Sequence, residues 1–158
     1  MRLSDMIENI LKENIQKNDG QWTFSRNALA NELNCVPSQV SYVISTRFTS
    51  GEGYLVESKR GGGGSIRIQQ IVEYGDGVSY LMHTLQSLGD QLTQNEVQVL
   101  LRNMVDYEAA DLGMAKVMLA ALTDQALVSV PHSVRDQIRA ELFKNMVMQL
   151  ALNLQEPL

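Results

Sequence analysis

With 158 residues, 44% of them apolar and 20% charged, the chain is long enough for one compact domain or two small ones, and its composition excludes intrinsic disorder. No apolar run approaches the roughly 20 residues that a membrane span needs, and the single Cys35 excludes an internal disulfide or a thiolate zinc site. The net charge of −5 is unevenly placed: residues 1–70 hold eight basic and seven acidic side chains (+1), the remainder five and eleven (−6). One part is therefore suited to phosphate and the other to protein or water, and indiscriminate electrostatic binding of nucleic acid is limited.

The opening MRLSDMIENILKENI carries Leu3, Met6, Ile7, Ile10, Leu11 and Ile15 at three- and four-residue spacing, which predicts a first amphipathic helix. It lacks the apolar stretch and cleavage site of a secretory signal, so the expected location is the cytoplasm. Asn18, Asp19 and Gly20 end the helix, and a short stretch around Trp22 and Phe24 leads to Ser25, a good N-cap for a second helix over SRNALANEL.

The run LANELNCVPSQVSYVI has helix-turn-helix spacing. Ala30 falls where two helices cross closely, Leu33 lies in the core, and Val40, Val43 and Ile44 point inward from the next helix. Asn34 takes the left-handed turn position, which Asn tolerates better than most residues. Cys35 is then a packing residue, and Pro37 stands at the first helical position, where its missing N–H costs nothing. Ser38, Gln39, Ser41, Tyr42, Ser45 and Thr46 are left outward, with Arg47 at the end. Such a helix suits the major groove, with Gln39 matched to an adenine edge and Arg47 to guanine or phosphate.

Next, YLVESK and SIRIQQI read as two period-two strands joined by Gly61, Gly62, Gly63 and Gly64. In the second strand Ile66 and Ile68 share one face and Ser65, Arg67 and Gln69 the other; Lys59, Arg60 and Arg67 crowd near the tip. A strand follows the glycines, not a helix, which argues against a nucleotide-binding loop and for a slim wing whose Arg60 suits a narrow minor groove. VEYGDGVS has linker composition, giving domains over 1–72 and 78–158.

Helical periodicity resumes near Tyr80, with Leu81, Leu85, Leu88 and Leu92 on one stripe. Thr93 and Glu96 form a capping box, with Leu92 and Val97 placed for a hydrophobic staple. Further helices run from about Asp111 to Leu122 and from near Ser133 onward. In the last, Ile138, Leu142, Met146 and Leu150 make one stripe, broadened by Phe143, Val147 and Leu154. That is more than a small monomeric bundle covers, and a dimer interface is its simplest use. Most of the methionines beyond residue 80 read as core filler. His83 and His132 are isolated, so neither a catalytic constellation nor a metal or cofactor site is expected.

The fold class expected is mainly α (α+β): an N-terminal winged helix-turn-helix with a β-hairpin wing and a C-terminal helical bundle. The candidate DNA contacts are Arg26, Ser38, Gln39, Ser41, Tyr42, Thr46, Arg47, Lys59, Arg60, Gly61, Gly62, Gly63, Gly64, Ser65 and Arg67. Two rivals stand beside this reading: an adaptor whose winged helix binds protein, and an enzyme using the glycine loop on a phosphate, for which no supporting Lys, carboxylate or following helix is present.

The segment CVPSQVSYVISTRFTSGEGYLVESKRGGGGSIRI closely resembles the CtsR family, repressors of class III stress genes in low-GC Gram-positive bacteria. The likeness extends more weakly to LSDMIENIL, AKVMLAALTD and RAELFKNMV. It implies a homodimer that binds tandem direct repeats of double-stranded operator DNA upstream of Clp chaperone and protease genes and is released by heat. It also implies a thermosensing minor-groove wing at Gly61 to Gly64, and recognition by Ser38, Gln39, Thr46 and Arg47. Arg60 matches a wing arginine phosphorylated by a protein arginine kinase in some members, where phosphate repels the DNA backbone. The loop before Leu112 and the tail QEPL depart from the family pattern and leave contacts with Clp ATPases or the kinase unassigned.

Overall fold

The computed structural model describes residues 2–59, 64–71 and 76–153. The chain forms two compact units, Met1–Val72 and Glu73–Leu158. Among the described residues there are seven α-helices and one three-stranded sheet.

In the first unit, α1 (Leu3–Lys17) buries Ile7, Leu11 and Ile15. The residues around Trp22 and Phe24, expected as a mere connection, form a strand, β1 (Gln21–Ser25). Five residues are too few for periodicity to reveal; the strand exists because β3 offers an edge for it to pair with. Trp22 and Phe24, two apart, share the inner face and stack with ring centroids 4.5 Å apart.

Ser25 caps α2 (Arg26–Glu32), its hydroxyl accepting from the Ala28 N–H at 3.2 Å. Asn34 adopts φ 53°, and the Cys35 N–H reaches back to the Ala30 carbonyl at 2.9 Å, closing the turn. Pro37 starts α3 (Pro37–Arg47), which buries Val40, Val43 and Ile44; Leu33 and Cys35 are half-buried against the same core. Phe48 meets Tyr54 edge to face at 4.8 Å.

Strands β2 (Tyr54–Lys59) and β3 (Ser65–Gln70) form an antiparallel hairpin with Lys59 opposite Ser65 and Glu57 opposite Arg67. The β1 strand pairs with the other edge of β3, giving the order β1-β3-β2. Ile66 and Ile68 enter the core beside Phe24 and the helices. The alternate face carries Ser65, Arg67 and Gln69, as period-two alternation requires.

In the second unit, α4 spans Asp76–Ser87, α5 Gln94–Asp106, α6 Leu112–Leu122 and α7 His132–Asn153. Two sequence expectations fail here. The α4 helix starts before Tyr80 and takes in part of the supposed linker. It stops at Ser87, so Leu88 and Leu92 do not continue the stripe of Leu81 and Leu85. Gly89 follows the break, and Leu92 is instead buried with Val97 at the start of α5, where Thr93 and Glu96 form the capping box.

The bundle core contains Leu81, Met82, Leu101, Met104, Met118, Leu122, Phe143 and Val147. The core-facing positions of α7 are Arg139, Ala140, Phe143, Val147 and Ala151, so the stripe of Ile138, Leu142, Met146 and Leu150 lies beside the core line, half-buried or exposed. No helix among the described residues is long and apolar enough to cross a membrane.

Candidate nucleic-acid interface

The outward face of α3 is assembled as its sequence requires. Ser38, Tyr42, Ser45 and Thr46 are exposed, and Gln39 and Ser41 half-exposed. The Thr46 hydroxyl donates to the Tyr42 carbonyl at 2.8 Å and the Ser45 hydroxyl to the same carbonyl at 3.0 Å. Both hydroxyls have thus spent their protons within the helix and present lone pairs outward, as acceptors for a base amino group.

Arg26 ties three elements together. Its backbone N–H donates to the Gly64 carbonyl at 2.9 Å, and its Nη1 donates to the Ser41 hydroxyl at 3.2 Å. Gly64 sits at φ +77°, and a Cβ there would lie 3.2 Å from Arg26 Nε. The root of the wing is therefore held beside α3 through one arginine, and glycine is needed both for the backbone angle and for the room. Arg26 Nε is buried with no hydrogen-bond partner among the described residues.

Arg47 lies differently from the outward position its sequence suggests. Its Nη1 donates to Asp5 at 2.7 Å and to Glu8 at 2.6 Å, both on α1. Glu8 also accepts from Lys12 at 2.8 Å. The Arg47 guanidinium holds the Asp5 carboxyl below its usual range, while Lys12, and then Arg47, do the same for Glu8. Neither acid is marked by a local motif, because the partner lies 42 and 39 residues away.

The wing is described up to Lys59 and from Gly64; Arg60, Gly61, Gly62 and Gly63 fall outside the described residues. Lys59 is exposed and opposite the half-buried Ser65 at the end of the hairpin. Arg67 is not at the tip. The register sets it opposite Glu57, one step back along the same face, and its Nη2 donates to Gln21 Oε1 on β1 at 2.7 Å. These side chains border a polar groove of about 770 Å³ on the outer sheet face, lined by Asn18, Thr23 and Glu57 among others.

In the second unit the largest surprise is Arg139, fully buried. It donates from Nε to the Leu122 carbonyl at 2.7 Å and from Nη1 to the Leu92 carbonyl at 2.9 Å and Asp136 at 2.5 Å, and it also pairs with Asp124. It fastens the starts and ends of three helices, a structural function that the pattern of α7 does not announce. Exposed apolar side chains remain on this unit, including Val117 at 68% and Leu142 at 37%. No group of three or more metal-ligating side chains occurs among the described residues.

Residues 2–72 match the model of the CtsR N-terminal HTH domain, and residues 77–148 that of the CtsR C-terminal dimerization domain. The transcriptional regulators CtsR of Staphylococcus aureus strains USA300 and NCTC 8325 are each 38% identical over 146 residues, covering 92% of this chain and 94% of theirs. A crystal structure of CtsR in complex with a 26bp DNA duplex covers 95% of this chain and 99% of its own at 33% identity, with a TM-score of 0.47.

Proposed function

The chain belongs to the CtsR family of transcriptional regulators, and from that premise we propose that it is a cytoplasmic, dimeric, non-enzymatic repressor. It binds tandem direct repeats of a short operator upstream of heat-shock genes for Clp proteases and chaperones, and heat releases it. The observation that carries this reading is the junction at Arg26, which locks the root of the wing beside the polar face of α3. A helix thick enough to fill a major groove and a hairpin beside it, suited to the adjacent groove, are thereby presented together.

Within this reading α3 contacts base edges through Ser38, Gln39, Ser41, Tyr42, Thr46 and Arg47. The wing follows the backbone and minor groove through Lys59, Arg60, Gly61 to Gly64, Ser65 and Arg67, with Arg26 at the junction. Ile138, Leu142, Met146 and Leu150 contribute to the dimer contact. Arg60 is the candidate site for phosphorylation by a protein arginine kinase, where phosphate would repel the DNA backbone, and a Clp ATPase is a further candidate partner whose contact surface is unassigned.

The test is fluorescence anisotropy with a labelled tandem-repeat operator and a scrambled duplex, at two salt concentrations and two temperatures. Preference for the repeat that disappears on warming is expected, and Arg60→Ala should lower affinity and flatten the salt dependence. Equal binding to both duplexes would refute the proposal and favour a protein-binding adaptor.

A further inference from the structure

Asp5 and Glu8 present a paradox for a DNA-binding unit, because they add negative charge at the end of the helix meant to face phosphate. Their geometry resolves it. Both accept from the same nitrogen of Arg47, Nη1, at 2.7 and 2.6 Å. A guanidinium has five N–H groups in a rigid fork. The two carboxylates occupy one corner of it, and Nε and Nη2 of Arg47 have no hydrogen-bond partner among the described residues. The side chain is 32% exposed. Nε and Nη2 together form the edge that donates two parallel bonds to a guanine or a phosphate.

We infer that Asp5 and Glu8 are positioning residues for DNA recognition, gripping Arg47 by Nη1 so that its Nε/Nη2 edge is set for a bidentate contact. An arginine at a helix end otherwise samples many rotamers, and fixing it lowers the entropy lost on binding. Lys12, bonded to Glu8, steadies that carboxylate in turn. The inference rests on the DNA-reading role proposed above for α3.

Charge alone and positioning predict opposite signs. Removing two negative charges near phosphate should strengthen binding to every duplex alike. Losing the grip on Arg47 should weaken binding only where Arg47 reads or seats on a specific site. A duplex enriched by the wild-type full-length chain from a randomised pool serves as the specific probe, and a scrambled duplex as the control.

For the double variant Asp5→Asn with Glu8→Gln, the enriched duplex is expected to bind about tenfold more weakly, within the range of one lost bidentate contact, while the scrambled duplex binds as tightly or more tightly. In an Arg47→Ala background the same pair of substitutions should no longer weaken specific binding. Asp5→Glu and Glu8→Asp, each singly, should retain most of it, which guards against a general effect on α1. An equal change for both duplexes, or the same loss with Arg47 absent, would overturn the positioning role alone. Failure of the wild-type chain to enrich any sequence would overturn the DNA-reading role together with it.

Discussion

Replacing Arg139 by methionine isolates what a buried guanidinium contributes to the helical unit. Arg139 is 0% exposed, whereas the side chains of its partners Asp124 and Asp136 are 59% and 44% exposed. On substitution the two half-exposed carboxylates return to water, so they are not left as buried unpaired charges. The Leu122 and Leu92 carbonyls have no such escape, and each is expected to lose about 1–3 kcal/mol of satisfaction. Relief of the guanidinium's desolvation offsets part of this, and methionine retains much of the packing of the stem. The expected net loss is about 3 kcal/mol, a large share of the roughly 5–15 kcal/mol by which domains are stable. Denaturant unfolding of the full chain followed by far-UV circular dichroism measures it, while fluorescence of Trp22, the single tryptophan, follows the first unit. Asp124→Asn and Asp136→Asn should each cost less than Arg139→Met, because the buried guanidinium keeps the other carboxylate and both carbonyls. A loss below about 1 kcal/mol for Arg139→Met would show that water replaces the guanidinium at those carbonyls, and the reasoning would fail.

Gly64→Ala places a Cβ at φ +77° and 3.2 Å from Arg26 Nε; a loss of about 1–2 kcal/mol from the backbone angle is expected, with weaker operator binding, and unchanged affinity would detach the wing root from recognition. The Asp5 and Glu8 carboxyls are held below their ordinary values of 3.8 and 4.5, so their contribution is present above that range and lost as pH falls through the lowered values. The melting-temperature gap between wild type and the Asp5→Asn, Glu8→Gln variant should therefore be full near pH 6 and shrink as pH falls below the ordinary carboxylate range; a gap independent of pH would mean the ion pairs do not stabilise α1 against α3. Leu142→Glu, at a position 37% exposed beside the core line of α7, should shift the dimer toward monomer in sedimentation velocity without unfolding the bundle, and an unchanged dimer would move the interface elsewhere.

The parts of this fold that were legible in the sequence are those governed by neighbours along the chain. Ser25, Asn34, Pro37 and the Thr93–Glu96 box each act within three or four residues, so capping and turn chemistry identify them directly. The α7 core line illustrates the limit. Apolar residues occupy more than half its circumference, and period alone does not say which stripe is core and which is left for a partner. The break of α4 at Ser87 is a second case, because Leu88 and Leu92 fit the helical period but are used in a loop. The β1 strand, the Arg47 grip and, Asp136 apart, the Arg139 clamp depend on partners 15 to 48 residues distant, where sequence spacing carries no signal. Arg67 shows the same in miniature, since its distance from the wing tip follows from strand register.

The charge distribution explains why recognition here has to be geometric. The first unit carries a net charge of only +1 through residue 70. Of its basic side chains, Lys12 and Arg47 are bonded to carboxylates, and Arg26 and Arg67 to neutral oxygens. Affinity for arbitrary duplex DNA rises with each phosphate neutralised, so a surface of near-zero net charge, with Lys12 and Arg47 paired to carboxylates, gains little from non-specific binding. The same internal bonds fix the positions of α3, the wing root and the Arg47 fork. Each therefore exchanges general attraction for placement, and a genome's excess of non-specific sites makes that exchange favourable to the sequence-specific role proposed above, since occupancy of a specific site depends on the ratio of specific to non-specific affinity and not on either alone.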